Sequence, residues 1–223
     1  MRIATWNLER GGRTRAARPA QEETLRELAA DVVALTEVPP EYVGAERTVC
    51  SPPARRGPRG REAWAAIVGP RVEPVPFDIP YERMAVAARV RHDRGDVIVY
   101  CAVLPWLSVA SHAPEMVRAG ETSIAAFARV LAEQVDDVRE LRRRYDAPVI
   151  WAGDFNQTVV GPPWGGSAER RAMLEAALRS LGFAAWNCAA AHASGCAPSI
   201  SSAGRQTSAS SRRDASILGA GRS

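Results

Sequence analysis

The stretch Ala147–Gln157, APVIWAGDFNQ, decides how the rest of the chain is read. Pro148 to Ala152 is an apolar run of buried-strand length, and it stops at Gly153, where a backbone can turn or approach another group closely. Asp154 and Asn156 follow two apart, so a continuing extended chain puts both on one side, at the carboxyl end of the strand. A carboxylate beside an amide suits a site that holds a hard cation, orients a water, or does both. Asp and Asn also end strands as ordinary turn residues, and the pair alone admits either reading.

Upstream, Gly120 to Tyr145 carries Ile124, Phe127, Val130, Leu131, Val135, Val138 and Leu141 three or four apart, the spacing of a long amphipathic helix. Before it, Asp96 to Leu104 is apolar on both faces, as in a strand interior to a sheet, and Pro105-Trp106 ends it. Ala63 to Val68 and Met84 to Val90 read as further strands, with a turn through Arg91 to Gly95. Ser51 to Arg61, rich in Pro, Gly and Arg, reads as a loop. Downstream, Ala168 to Gly182 places Leu174, Leu178 and Leu181 on one helical face, and Gly182 stops it.

The amino-terminal end repeats the pattern. Arg2 to Leu8 is a strand ending in Asn7, Glu22 to Ala30 an amphipathic helix, and Asp31 to Val38 a strand with Glu37 near its end. Pro39 and Pro40 close it. Asn7, Glu37 and Asp154 are thus each a polar residue at the end of an apolar strand. The order β-α-β, several strands, long helix, strand, helix predicts an α/β architecture with helices outside sheets.

At 223 residues the chain suits one large domain over residues 1–187, followed by a low-complexity tail over 188–223. That tail is Ala, Ser, Gly and Arg with almost no large apolar residue, a composition that cannot order itself by burial. All 29 basic residues are Arg, and the net charge of +4 permits an anionic partner without requiring one. Cys50, Cys101, Cys188 and Cys196 show no metal-type or disulfide spacing. With no leader peptide and no run of membrane-spanning length, the expected location is the cytoplasm.

ATWNL, ALTEV and GDFNQ, in that order, resemble the endonuclease/exonuclease/phosphatase superfamily over roughly residues 1–182. The resemblance implies a four-layer sandwich, two mixed β-sheets face to face with helices outside, and a divalent-metal-dependent hydrolase acting on phosphate esters, nucleic acid among them. It implies Mg²⁺ or Mn²⁺ at Glu37 and Asn7, with Glu37 the direct carboxylate ligand. Asp154 then orients or deprotonates the attacking water, and Asn156 positions a phosphate oxygen and the nucleophile.

The chain departs from that pattern twice. Where many relatives carry a polar group after the strand matching 96–104, this one has Leu104-Pro105-Trp106, with Trp106 expected to cap the sandwich edge. Relatives also finish on a strand bearing Asp-His, and no Asp-His pair occurs here. His92 falls in a turn, His112 in a loop, and His192 in AAAHASG without an Asp neighbour. The expectation is that the last strands are missing or replaced, by a shifted reading frame or by a natural extension. Hydrolysis would then be impaired, or the cleft would bind a phosphorylated ligand, nucleic acid or protein without catalysis.

Overall fold

Two β-α-β units, one near the amino terminus and one in the second half, set the architecture of the computed structural model, which describes residues 1–9, 17–42, 45–57, 60–159, 166–186 and 202–205. In the first, β1 (Ile3–Asn7) passes through α1 (Ala17–Glu27) to β2 (Val32–Val38), and β1 and β2 pair in parallel. β3 (Thr48–Cys50), β4 (Pro53–Gly57) and β5 (Gly60–Val68) complete that sheet, in the order β1-β2-β5-β3 with β4 also on β5. β6 (Val72–Pro74) and β7 (Ala85–Val90) then lead to β8 (Val97–Val103). The second unit runs from β8 past the short α2 (Val109–His112) and the long α3 (Ser123–Arg144) to β9 (Val149–Asp154), again parallel to its partner. α4 (Ala168–Ser180), β10 (Phe183–Trp186) and β11 (Ser202–Arg205) follow, giving a six-stranded sheet in the order β10-β11-β9-β8-β7-β6.

Three apolar clusters fill the three interfaces of a four-layer sandwich. Leu25 of α1 packs over Leu8, Val33, Leu35 and Val38 on the outside of the first sheet. Between the sheets, Val32, Ala34, Ala65 and Ile67 meet Val86, Ala88, Val99, Cys101 and Ala152. Behind the second sheet, Tyr100, Trp151 and Phe155 pack against Phe127, Val130, Val138 and Leu141 of α3 and Leu174 and Leu178 of α4. Full burial of each Leu, Val or Phe in these layers contributes about 1.5–3 kcal/mol.

The expected helix over 120–145 forms as α3, with Thr122 as its N-cap accepting from Ala125 N and three arginines in its last turn, where cations favour the helix dipole. The first helix begins and ends earlier than the expected 22–30. The loop expected over 51–61 is corrected: β4 pairs antiparallel with β5, from Pro53 opposite Ala63 to Gly57 opposite Gly60, with a bulge between. Pairing is made by the main chain, and Pro is tolerated at the first residue of an edge strand.

The segment read by composition as an unordered tail contributes β11, antiparallel to both β9 and β10. A backbone ladder requires no large side chains, which is why composition did not signal it. The remainder of that segment, with His192, lies outside the described residues. Among the described residues β1 pairs with β2 alone, and its five residues are half-buried where β2 is almost wholly buried. No helix among the described residues is long and apolar enough to cross a membrane.

Candidate active site

Each parallel pair brings two carboxyl ends side by side. In the first sheet Asn7 lies opposite Thr36, next to Glu37; in the second Val103 lies opposite Asp154. The two sheets face each other, and these ends meet across the sandwich. Asn7 Nδ2 donates to Asp154 Oδ2 at 2.9 Å and to Glu37 Oε1 at 3.3 Å. One amide therefore joins two carboxylates carried by different sheets. Its orientation is fixed from the other side, because Asn7 Oδ1 accepts the Glu9 N–H at 2.8 Å.

The backbone is unusual at the same place. Glu37 has φ 50°, Asn156 φ 51° and Glu9 φ 47°, all in the left-handed region that side-chain-bearing residues avoid. Gly153 has φ 134°, and a Cβ there would lie 1.9 Å from the Ala102 carbonyl oxygen. Left-handed residues cost about 1–3 kcal/mol each, and they collect at sites where geometry is over-determined by the surroundings. Asp154 is held 6% exposed at the end of β9, while Glu37 and Asn7 are half-buried.

Asn156 departs from the extended chain expected of it. Its αL backbone turns the peptide so that Asn156 N–H donates to Asp154 Oδ1 at 2.9 Å, an Asx-type turn. Its side-chain amide reaches the other way and donates to the Leu104 carbonyl at 2.8 Å. Asp154 thus has both oxygens engaged, one by Asn7 and one by its own turn. Asn156 is tied to the strand next door instead of projecting beside Asp154.

Sequence reasoning passed over several neighbours. Gln157, 2% exposed, accepts the Ser167 N–H at 3.2 Å and fastens the start of α4 beneath the site. Arg170, 1% exposed, donates to the Pro105 carbonyl at 3.3 Å, and Gln134, fully buried, donates to the Val103 carbonyl at 3.0 Å. The sequence did carry a signal for both: Gln134 interrupts the apolar stripe of α3, and Arg170 occupies the stripe that continues through Leu174 and Leu178. Trp106 packs on Trp64 with ring centroids 5.8 Å apart, as expected of an edge aromatic, and the exposed Leu107 follows it.

Hard oxygen donors are what this end of the molecule offers. Among the described residues no group of three or more His, Cys, Asp or Glu converges, but Glu37 and Asp154 converge through the Asn7 amide. Two carboxylates with room for waters are sufficient for Mg²⁺, which keeps much of its hydration. Asn7 Oδ1 accepts one hydrogen bond, from Glu9, and keeps a second lone pair, so it remains a candidate ligand atom beside the carboxylate oxygens.

A family model described as the endonuclease/exonuclease/phosphatase family matches residues 4–174, a span that contains all four of these site residues. Among solved structures, the endonuclease domain of TRAS1, a telomere-specific non-LTR retrotransposon, superposes with a TM-score of 0.52 at 17% identity, covering 83% of this chain and 74% of that one. An endonuclease/exonuclease/phosphatase from Beutenbergia cavernae DSM 12333 superposes with a TM-score of 0.54 at 18% identity, covering 83% of this chain and 54% of that one. The chain therefore spans little more than half the length of the latter. At such identities the likeness shows the shared fold. No curated protein matches by sequence.

Proposed function

This chain belongs to the endonuclease/exonuclease/phosphatase family, and from that premise we propose that its cleft is a divalent-metal-dependent phosphate-ester hydrolase site of reduced turnover. The observation that carries the reading is the Asn7 amide joined at once to Glu37 and Asp154 across the two sheets. Mg²⁺ or Mn²⁺, when bound, supplies neutralisation of charge on the phosphoryl oxygens and the leaving group. Glu37 would hold the ion directly through its carboxylate with Asn7 beside it, and the Asn7 amide keeps Glu37 in line with Asp154. Asp154 accepts the proton of the attacking water at a carboxylate whose position is fixed by two hydrogen bonds. Asn156 spends one amide hydrogen on Leu104 and offers the other to a phosphate oxygen. We place the protein in the cytoplasm, and its substrate among nucleic acids and smaller phosphate esters.

Reduced turnover follows from the absence of an Asp-His pair from the sequence, since a phosphate-binding acid is part of the set implied by family resemblance. The same observation favours a second reading, in which the cleft binds a phosphorylated ligand, nucleic acid or protein without turnover. The test is release of p-nitrophenolate from bis-p-nitrophenyl phosphate in Mg²⁺ or Mn²⁺. The expected result is slow, metal-dependent release that disappears in Glu37→Ala. A rate equal to buffer alone, with retention of an oligonucleotide that Glu37→Ala loses, would establish the second reading. A rate typical of an unimpaired enzyme, about 1 s⁻¹ or more, would overturn the impairment.

A further inference from the structure

We infer that Arg170 and Gln134 are positioning residues of the site, acting on Asn156 and Asp154 through the main chain of residues 103–105. Three consecutive carbonyls, starting at the last paired residue of β8, are each held by a side chain. Val103 O accepts from Gln134 Nε2 at 3.0 Å, Leu104 O from Asn156 Nδ2 at 2.8 Å, and Pro105 O from Arg170 Nη1 at 3.3 Å. Leu104 is the hinge of this arrangement. Its N–H donates to the Asp154 carbonyl at 2.9 Å, the final rung between β8 and β9, while its C=O holds the Asn156 side chain. A shift of Leu104 moves both site residues. The carbonyls on either side of its own are anchored by donors from two different helices.

Those donors are costly to bury. Gln134 Nε2 also donates to the Arg83 carbonyl at 2.7 Å, so both amide hydrogens are used, but its Oε1 is buried without a partner. Arg170 has no carboxylate in ion-pair range among the described residues, its Nε is buried without a partner, and its guanidinium lies 5.3 Å from the centre of the Phe127 ring. Burial also lowers the pKa of that guanidinium. An apolar residue continuing the stripe of Leu174 and Leu178 would pack there without leaving a buried donor unsatisfied. What offsets the burial is the carbonyl that each donor holds. Pro105 has no N–H with which to carry the ladder on past Leu104. Outer partners of this type typically change activity about 10- to 100-fold when removed.

This inference rests on the proposed hydrolase reading only for what the site does, and its test has a readout independent of turnover. In the ¹⁵N-labelled full chain, the side-chain NH₂ resonances of Asn156 are assigned by their loss in Asn156→Ala. Arg170→Met and Gln134→Leu are each expected to shift those resonances and speed their hydrogen exchange, with Arg170→Lys restoring part of the wild-type position. Leu141→Ala, a core truncation away from residues 103–105, is expected to lower the melting temperature and leave them in place. If Arg170→Met does not fold, Arg170→Lys and Gln134→Leu carry the test. Asn156 resonances unchanged in folded variants of both residues would overturn the inference and leave the two as packing residues. In turnover, kcat should fall about 10- to 100-fold with KM nearly unchanged, and in the Asn156→Ala background that sensitivity should shrink to the part carried through Asp154. Coupled resonances in a chain without turnover would sink the hydrolase reading and uphold the positioning; turnover with uncoupled resonances would do the reverse.

Discussion

Glu37 combines a left-handed backbone with a half-buried carboxylate, so its side chain and its main chain make opposite contributions to stability. The αL conformation costs a residue with a Cβ about 1–2 kcal/mol, which glycine does not incur. Glu37→Gly is therefore expected to be about 1 kcal/mol more stable than Glu37→Ala, with metal-dependent turnover absent from both. Thermal denaturation of the two variants checks this, and equal melting temperatures would mean the strain is not carried at this residue. Asn7, Glu37 and Asp154 were legible as candidates because each ends an apolar strand, a pattern visible without any coordinates. The direction of the Asn156 amide was not. Spacing of two implies a shared face only while the chain stays extended, and a single αL residue cancels that implication. The letters GDFN admit a turn without fixing at which residue the backbone makes it.

Elements with their own apolar pattern were legible, and those made by main-chain pairing were not. β5, β7, β8 and β9 bury apolar runs, whereas β3, β4 and β6 are short edge segments whose residues are mostly polar, proline or half-exposed. In α3 the apolar stripe was read and the polar residue inside it was passed over, although that residue reaches the strand end that shapes the site. The segment before α3 is held by an ion pair that makes a pH prediction. Glu121 accepts from Arg129 Nε at 2.9 Å and Nη2 at 3.0 Å, and Arg129 also donates to the Met116 carbonyl at 2.9 Å. Arg129 holds the Glu121 carboxyl below its ordinary value of 4.5. A lowered folded-state value means this pair stabilises the protein above the unfolded-state value and is lost as the pH falls through the folded one. Denaturant midpoints of wild type and Glu121→Gln should therefore differ at pH 7 and converge as the pH drops below 4.5. A constant difference down to pH 3 or so would show that the carboxyl titrates as it does in the unfolded chain.

For the whole molecule, an α/β architecture with helices outside sheets was legible from the order of elements, the four-layer sandwich was implied by the family resemblance, and the strand at 202–205 was not legible, since composition speaks about burial and not about backbone partners. β11 separates β9 from β10, so a chain ending at residue 187 would leave one side of β9 unpaired and β10 detached from the sheet. Such a chain is expected to melt several degrees lower than the full one and to aggregate more readily; identical melting curves would mark 188–223 as dispensable. The hydrogen bond from Asn7 to Asp154 spans 147 positions of sequence, and it has a consequence for synthesis. A ribosome must deliver nearly the whole second β-α-β unit before the two carboxylates can be bridged. Until then the nascent chain carries Glu37 and Asn7 without the Asp154 carboxylate that bonds to the same amide. Any chemistry that needs Asn7, Glu37 and Asp154 together therefore waits until β9 has been made.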